Sequence, residues 1–320
     1  MGLPVGLGHH LGPDQGGGVR LHPDADGLLS RLLRPGRRPG RGPGRHQRRR
    51  RGRGSDLRRQ LPAHLLVCVI VMTERVKIAW KNVTVGFDGR KPVLKGLNLE
   101  AHEGRSLVVI GGSGTGKSVT LKTALGLIRP QSGSVEIDGE AVRPGHGNDP
   151  GVAQIGMLFQ SGALFDSLPV WKNVAFRLLH AEHVSEDEAR TRALEALDQV
   201  DLDAHVADQR PGSLSGGMLK RAALARAIVA RPKILFFDEP TTGLDPVTAD
   251  VINKLIVRQV KNLGATAVSI THDMVSMRHI ADDVAMIKDG QTLWRGSLDG
   301  VESCAHDEVC RFVRGESSED

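Results

Sequence analysis

The chain has 320 residues, with 43 Lys and Arg against 37 Asp and Glu, 39 Gly, 16 Pro, three Cys and no Tyr, for a formal charge of +6. The excess sits at one end: residues 1–71 hold 14 Arg, no Lys and 4 Asp, a balance of +10, while the other 249 residues carry −4. A uniformly basic surface built for nucleic acid or an anionic membrane is thereby excluded for the bulk of the chain.

Residues 1–71 contain 14 Gly and 7 Pro and no aromatic residue, too little apolar surface to offset chain entropy, so disorder is expected there. From Arg37 to Arg59, Arg alternates with Gly and Pro. Two readings stand: an arm that contacts nucleic-acid phosphates but has nothing to stack on bases, or an over-extended start ahead of Met72, which opens the run MTERVKIAW. The apolar run Leu65 to Met72 is far short of the ~20 residues that span a bilayer. It also lies too deep, and lacks the small-residue cleavage site, for a signal peptide. Cys68, Cys304 and Cys310 show neither a disulfide framework nor metal-ligand spacing, which is the expectation for a reduced, cytosolic chain.

Beyond Met72 the pattern becomes strand-like. Val76, Ile78 and Trp80 alternate with Lys77 and Ala79, then Val83, Val85 and Phe87 alternate with Thr84 and Gly86, as in half-buried strands. Val93–Leu99 and Ser106–Ile110 read as further strands, the latter apolar throughout as a buried parallel strand is. A helix is expected at Lys117–Leu127 and another after Ser185, which with Glu188 has capping-box spacing. Residues 166–230 read as mostly helical. Ile234–Phe237 is a buried strand, Ala249–Leu263 an amphipathic helix, Ala267–Ile270 a strand, and Val284–Trp294 a hairpin turning at Asp289-Gly290. Strands alternating with helices imply an α/β fold with a parallel sheet.

Between the strand at 106–110 and the helix at 117, Gly111-Gly112-Ser113-Gly114-Thr115-Gly116-Lys117-Ser118 matches the phosphate-binding pattern G-x-x-x-x-G-K-[ST] in the context that its mechanism needs. Its backbone N–H groups and the helix N-terminus favour phosphate, Lys117 adds a full charge, and Ser118 can ligate Mg²⁺. Phe236-Phe237-Asp238-Glu239-Pro240 ends an apolar strand in two carboxylates, at the sheet edge where ligands sit. Asp238 suits Mg²⁺ and Glu239 suits an attacking water. Taken alone, Asp-Glu-Pro could equally cap a helix.

Leu214-Ser215-Gly216-Gly217-Met218, followed by the basic, Ala-rich run 219–229, resembles the signature of ABC transporter ATP-binding subunits. With it come Gln160 as a Q-loop, Gly243-Leu244-Asp245 as a D-loop and His272 in Thr271-His272-Asp273 as a switch histidine. All occur in family order, over roughly residues 75–300. The resemblance implies a P-loop NTPase cassette with a RecA-like parallel core, an antiparallel β subdomain and a helical subdomain near 166–230, within a domain spanning 72–300 that precedes an extension at 301–320. It implies that ATP and Mg²⁺ bind between two copies. The loop of one copy, including Val119, would hold the phosphates, while Ser215, Gly216, Gly217 and Asp245 of the other close the site. Ser118, Gln160 and Asp238 would serve the metal, and Glu239, His272 and Gln160 would be catalytic. Phe87 would stack on adenine, although its parity with Val83 and Val85 equally fits a core position.

Val119 stands where many relatives carry a hydroxyl, and Met218 stands in place of Gln. With the segment from Gln160 to Trp171 and the ending Arg311-Phe312-Val313-Arg314-Gly315, Met218 resembles the ATPases of the Mla and related MCE lipid-transport systems. That likeness implies a homodimer on the cytoplasmic face of the inner membrane, beneath a separately encoded permease, with an MCE-type lipid-binding protein and no nucleic acid. Phe165, Leu168 and Trp171 would line the permease groove, or else simply pack the helical subdomain. The competing functions are transport of another solute and a soluble ABC ATPase acting on DNA or ribosomes. Against the latter, the chain has one phosphate loop, no sustained heptads and no paired cysteines. If Met72 is the true start, mass-spectrometric mapping of the natural protein recovers no abundant peptide from residues 1–71.

Overall fold

The structure, a computed structural model, describes residues 75–87, 89, 91–145, 149–304 and 306–316. The segment 1–71 and the readings attached to it lie outside the described residues.

A four-stranded antiparallel sheet comes first, in the order β2-β1-β4-β5: β1 (Val76–Val85), β2 (Leu94–His102), β4 (Ser132–Ile137) and β5 (Glu140–Ala141). The two short strands expected at 76–87 are one continuous β1. An irregularity between Trp80 and Val83, where Asn82 has φ +51°, resets which side chains face inward. Phe87 falls beyond the end of this strand.

The second sheet has six strands in the order β10-β9-β3-β8-β7-β6, built from β3 (Ser106–Ile110), β6 (Ile155–Leu158), β7 (Ile234–Asp238), β8 (Thr266–Ile270), β9 (Asp283–Lys288) and β10 (Gln291–Ser297). All its pairings are parallel except the β9–β10 hairpin, which turns through Asp289 and Gly290, both at positive φ. Its centre is apolar on both faces. Val108, Ile110, Leu235 and Phe237 enter one core, and Leu107, Val109, Ile234 and Phe236 enter the other, so alternation survives in direction while polarity does not alternate.

On one face α1 (Lys117–Ala124) buries Leu121 and Ala124 among residues of both sheets. On the other lie α2 (Val170–Val174), α3 (Phe176–His180), α4 (Glu186–Asp198), α5 (Gly216–Ile228), α6 (Pro246–Leu263) and α7 (Met274–Ile280). The Ser185 hydroxyl caps α4 by accepting from the Glu188 N–H at 3.4 Å, whereas the Glu188 carboxylate pairs with Arg192. α6 begins three residues before the expected Ala249, because Asp245 caps it and Pro246 occupies its first position. Strand β6, unforeseen in the sequence, lies so close to α5 that a Cβ on Gly156 would sit 2.1 Å from the Ala227 carbonyl oxygen.

The chain closes with α8 (Leu298–Glu302) and α9 (Asp307–Arg314). Cys304 and Cys310 are joined in a disulfide with Cα atoms 5.1 Å apart, correcting the reading of unpaired thiols. The turn after α8 folds the first helical turn of α9 back onto it, a juxtaposition that a spacing of six does not advertise.

Trp80 couples the two sheets through α1. It is 1% exposed, and its Nε1–H donates to the Thr120 carbonyl at 3.0 Å and to Thr123 Oγ1 at 3.2 Å. Trp80→Ala should therefore cost about 3–5 kcal/mol of stability, read as a fall in the urea midpoint, and should loosen the helix that carries Lys117.

Candidate active site

The loop 111–116 joins the C-terminal end of β3 to α1. Gly111 has φ +148°, and a Cβ there would lie 2.3 Å from the Ile287 carbonyl oxygen, so the turn is closed to any other residue. Lys117 folds back over the loop, its Nζ donating to the carbonyls of Gly111 at 2.8 Å and Gly112 at 2.7 Å. Burial lowers its pKa, partly offset by Glu239 and Asp238. A cleft of about 660 Å³ opens here, lined by Val93, Lys117, Ser118, Gln160, Glu239 and His272 among others.

At the end of β7, Ser118 Oγ donates to Asp238 Oδ1 at 3.2 Å. Burial raises the Asp238 carboxyl above its ordinary range, countered by the Ser118 bond and reinforced by Glu239. Glu239 takes a left-handed backbone, φ +48°. Its Oε2 accepts from Gln160 Nε2 at 3.0 Å and Thr242 Oγ1 at 3.0 Å, and its Oε1 lies 3.2 Å from His272 Nδ1. Gln160, Asp238, Glu239 and His272, spread over more than 100 positions of sequence, thus share one edge of the sheet with the loop 111–118. A hard cation fits beside Ser118 Oγ and Asp238 Oδ1. No group of three His, Cys, Asp or Glu side chains fit for a metal occurs among the described residues.

Ser215, Gly216, Gly217 and Asp245 are elsewhere on the same chain, lining a separate cleft of about 300 Å³. The Ser215 hydroxyl caps α5 by accepting from the Met218 N–H at 3.3 Å. Asp245 accepts from Thr248 Oγ1 at 2.5 Å and from the N–H groups of Thr248 and Val247, each at 3.0 Å. The Thr248 bonds hold its carboxyl below the usual range.

Phe87 is 43% exposed while Val83 and Val85 are fully buried, so the core position is excluded for it. It does not line the 660 Å³ cleft, which Val119 does. Of the three groove candidates, Phe165 is 46% exposed, Leu168 is half-buried and Trp171 packs into the core, which decides for packing in the case of Trp171. Thr242, which holds Glu239, lies in no motif that marks it, and Lys220, whose Nζ donates to the Gln160 carbonyl, is marked in the sequence only as part of the basic run after the signature, without a role.

Residues 94–242 match the family described as ABC transporter. The chain is 36% identical over 231 residues to the intermembrane phospholipid transport system ATP-binding protein MlaF of Haemophilus influenzae, covering 72% of this chain and 87% of that one. It is 38% identical over 234 residues to the methionine import ATP-binding protein MetN of Caulobacter vibrioides, covering 71% and 68%. Among solved structures, a dimeric ATP-binding cassette in a post-hydrolysis state bound to ADP and Pi superposes with a TM-score of 0.62 at 32% identity, covering 69% of this chain and 98% of that one. A loop that cradles phosphates facing two carboxylates at a parallel-sheet edge defines a P-loop ATPase. The chain belongs to the ATP-binding subunits of ABC transporters, and it resembles those of the Mla type.

Because the Lys117 ammonium is the full positive charge within the loop, Lys117→Ala should weaken ATP binding about 10- to 100-fold, the worth of a charge-assisted hydrogen bond, as measured by fluorescent-nucleotide titration.

Proposed function

We propose that the chain powers movement of phospholipid or a similarly hydrophobic substrate across the cell envelope. It would act as a homodimer on the cytoplasmic face of the inner membrane, beneath a separate permease and together with an MCE-type lipid-binding protein. The observation that carries this reading is the match to 87% of the length of a phospholipid-transport ATPase, joined by Met218 in the signature and by the Gln160–Trp171 segment. The equally extensive identity to a methionine importer makes an amino acid the competing substrate. No helix among the described residues is long and apolar enough to cross a membrane, so a membrane path calls for another chain.

In this reading Lys117 leaves the carbonyls of Gly111 and Gly112 for the β- and γ-phosphates, with Gly112–Gly116 supplying backbone N–H donors. Ser118, Asp238 and Gln160 would hold Mg²⁺. When bound, the metal neutralises charge on the phosphate oxygens. Glu239 orients water in line with the γ-phosphate and accepts its proton, Gln160 and Thr242 fix the carboxylate, and His272, beside Glu239, contacts the γ-phosphate. Phe87 offers its exposed ring to adenine. Ser215 and Gly217 of a second copy complete the site, since on one chain they open into a different cleft. Val247, beside Asp245, and Val275, which lines a cleft with Leu244 and His272, are exposed large apolar residues and suit contact with that second copy.

Two measurements test the proposal. Glu239→Gln should bind ATP within about twofold of the parent while turnover falls about 10²- to 10⁴-fold, the worth of a general base. Purified with its permease partner, the ATPase should be stimulated by phospholipid vesicles and not by methionine, and the converse response would replace the lipid reading with amino-acid transport.

A further inference from the structure

Between β6 and α2 the chain runs from 159 to 169 without helix or strand. Its shape is nonetheless fixed through its backbone. Gly162 and Ala163 are consecutive left-handed residues, at φ +77° and +49°. For Ala163 that conformation costs about 1–2 kcal/mol, so the turn needs support from outside itself.

The support comes from two side chains of α5. Lys220 Nζ donates to the Gln160 carbonyl, Arg226 Nη2 donates to the Gly162 carbonyl at 2.7 Å, and Arg226 Nη1 donates to the Ala163 carbonyl at 2.5 Å. Neither cation has a carboxylate within ion-pair distance among the described residues. Lys220 is 6% exposed, and burial lowers the pKa of both groups, offset for Lys220 by Glu239 and Asp238. An aliphatic side chain would fill the same space without the desolvation cost of a charge, so the cations earn their place by what they bond. They bond only main-chain oxygens, which leaves the side chain of Gln160 free to reach Glu239.

The helix that carries both cations begins at Ser215. At about 1.5 Å per residue, Lys220 lies ~8 Å and Arg226 ~16 Å along its axis from that cap. One rigid element therefore has the signature at its N-terminus and grips the loop of Gln160 at two points along its length.

We propose that Lys220 and Arg226 are positioning residues that clamp the 160–163 backbone to α5, holding Gln160 over Glu239 and making Gln160 and Ser215 move as one body. A displacement of the loop, whatever drives it, then reaches the signature through the helix without passing through the parallel sheet. This rests on the reading of Gln160 as a partner of Glu239 in hydrolysis, and it adds residues that act through the backbone of the Gln160 loop.

The test uses the full chain and three variants, Lys220→Met, Lys220→Arg and Gln160→Ala. Lys220→Met should lower kcat about tenfold or more while KM for ATP stays within about twofold, because the phosphate loop is untouched. Amide hydrogen exchange at 160–164 should accelerate about tenfold or more in the same protein while the amides of 222–228 keep parental protection. Lys220→Arg, which keeps a cationic donor, should return both readouts to within about threefold of the parent. Parental kcat and parental exchange in Lys220→Met would overturn the clamp, and so would an equal loss of protection along α5, which marks general destabilisation. If Lys220→Met does not fold, Arg226→Met carries the same exchange test at 162–164. Undiminished turnover in Gln160→Ala would remove the role of Gln160, while faster loop exchange in Lys220→Met would still establish the clamp.

Discussion

The backbone of Glu239 is the constraint on which the catalytic edge depends. β7 delivers Asp238 in register with Ile270 of β8, and the next N–H, that of Glu239, still bonds to the Ile270 carbonyl at 2.9 Å. At that point the chain turns into the left-handed region at φ +48°. Two adjacent carboxylates that would otherwise repel at close range are thereby sent to different surroundings. Asp238 stays buried against Ser118, and Glu239 swings out to Gln160, Thr242 and His272. A non-glycine residue held in this conformation costs about 1–3 kcal/mol and persists where its surroundings over-determine it. Here the strand register on one side and three polar side chains on the other do so.

Charge balance at this edge follows from the same geometry. Two buried ammonium groups, Lys117 and Lys220, face two carboxylates, and each has its pKa lowered by burial and partly restored by Asp238 and Glu239. They differ in what they bond. Lys117 occupies carbonyls of the phosphate loop, a contact that incoming phosphate oxygens can replace with stronger charge-assisted bonds. Lys220 occupies a carbonyl of the Gln160 loop, where no anion is expected. One cation is thus exchangeable and the other structural, although their burial is nearly the same.

The loop 111–118, the strand ending in Asp238 and Glu239, and the run 215–218 were legible because each couples a local pattern to a flanking element. The parallel strands β3, β7 and β8 were legible for a related reason, their largely apolar runs. Trp80–Val83 was not, since a bulge changes the parity on which the alternation argument rests, and Phe87 lost its apparent partnership with Val83 and Val85 because the strand ends at Val85. β6 was hidden by its length of four residues and by Gly156, which reads as a breaker yet serves close approach of α5. Thr242 was invisible, and Lys220 was legible only as part of the basic run after the signature, because their partners are a side chain three residues back and a main-chain oxygen 60 residues away, and neither relation leaves a periodicity. The Cys304–Cys310 link needed the turn between α8 and α9, which spacing alone does not define.

The separation of the two clefts on one chain sets what ATP can do. The phosphate loop offers one helix N-terminus, that of α1, and the signature offers another, that of α5, but Ser215 and Gly216 lie exposed in a cleft of their own. Each N-terminus carries roughly half a positive charge, so two of them brought together without an anion repel. An anion between them reverses the sign of that interaction and gains from both. In the proposed homodimer nucleotide is therefore the condition for closure rather than its passenger, and loss of the γ-phosphate removes the anion that both helices share. Because α5 also grips the Gln160 loop, the surface around Phe165 would feel closure and release through the same helix that feels the phosphate.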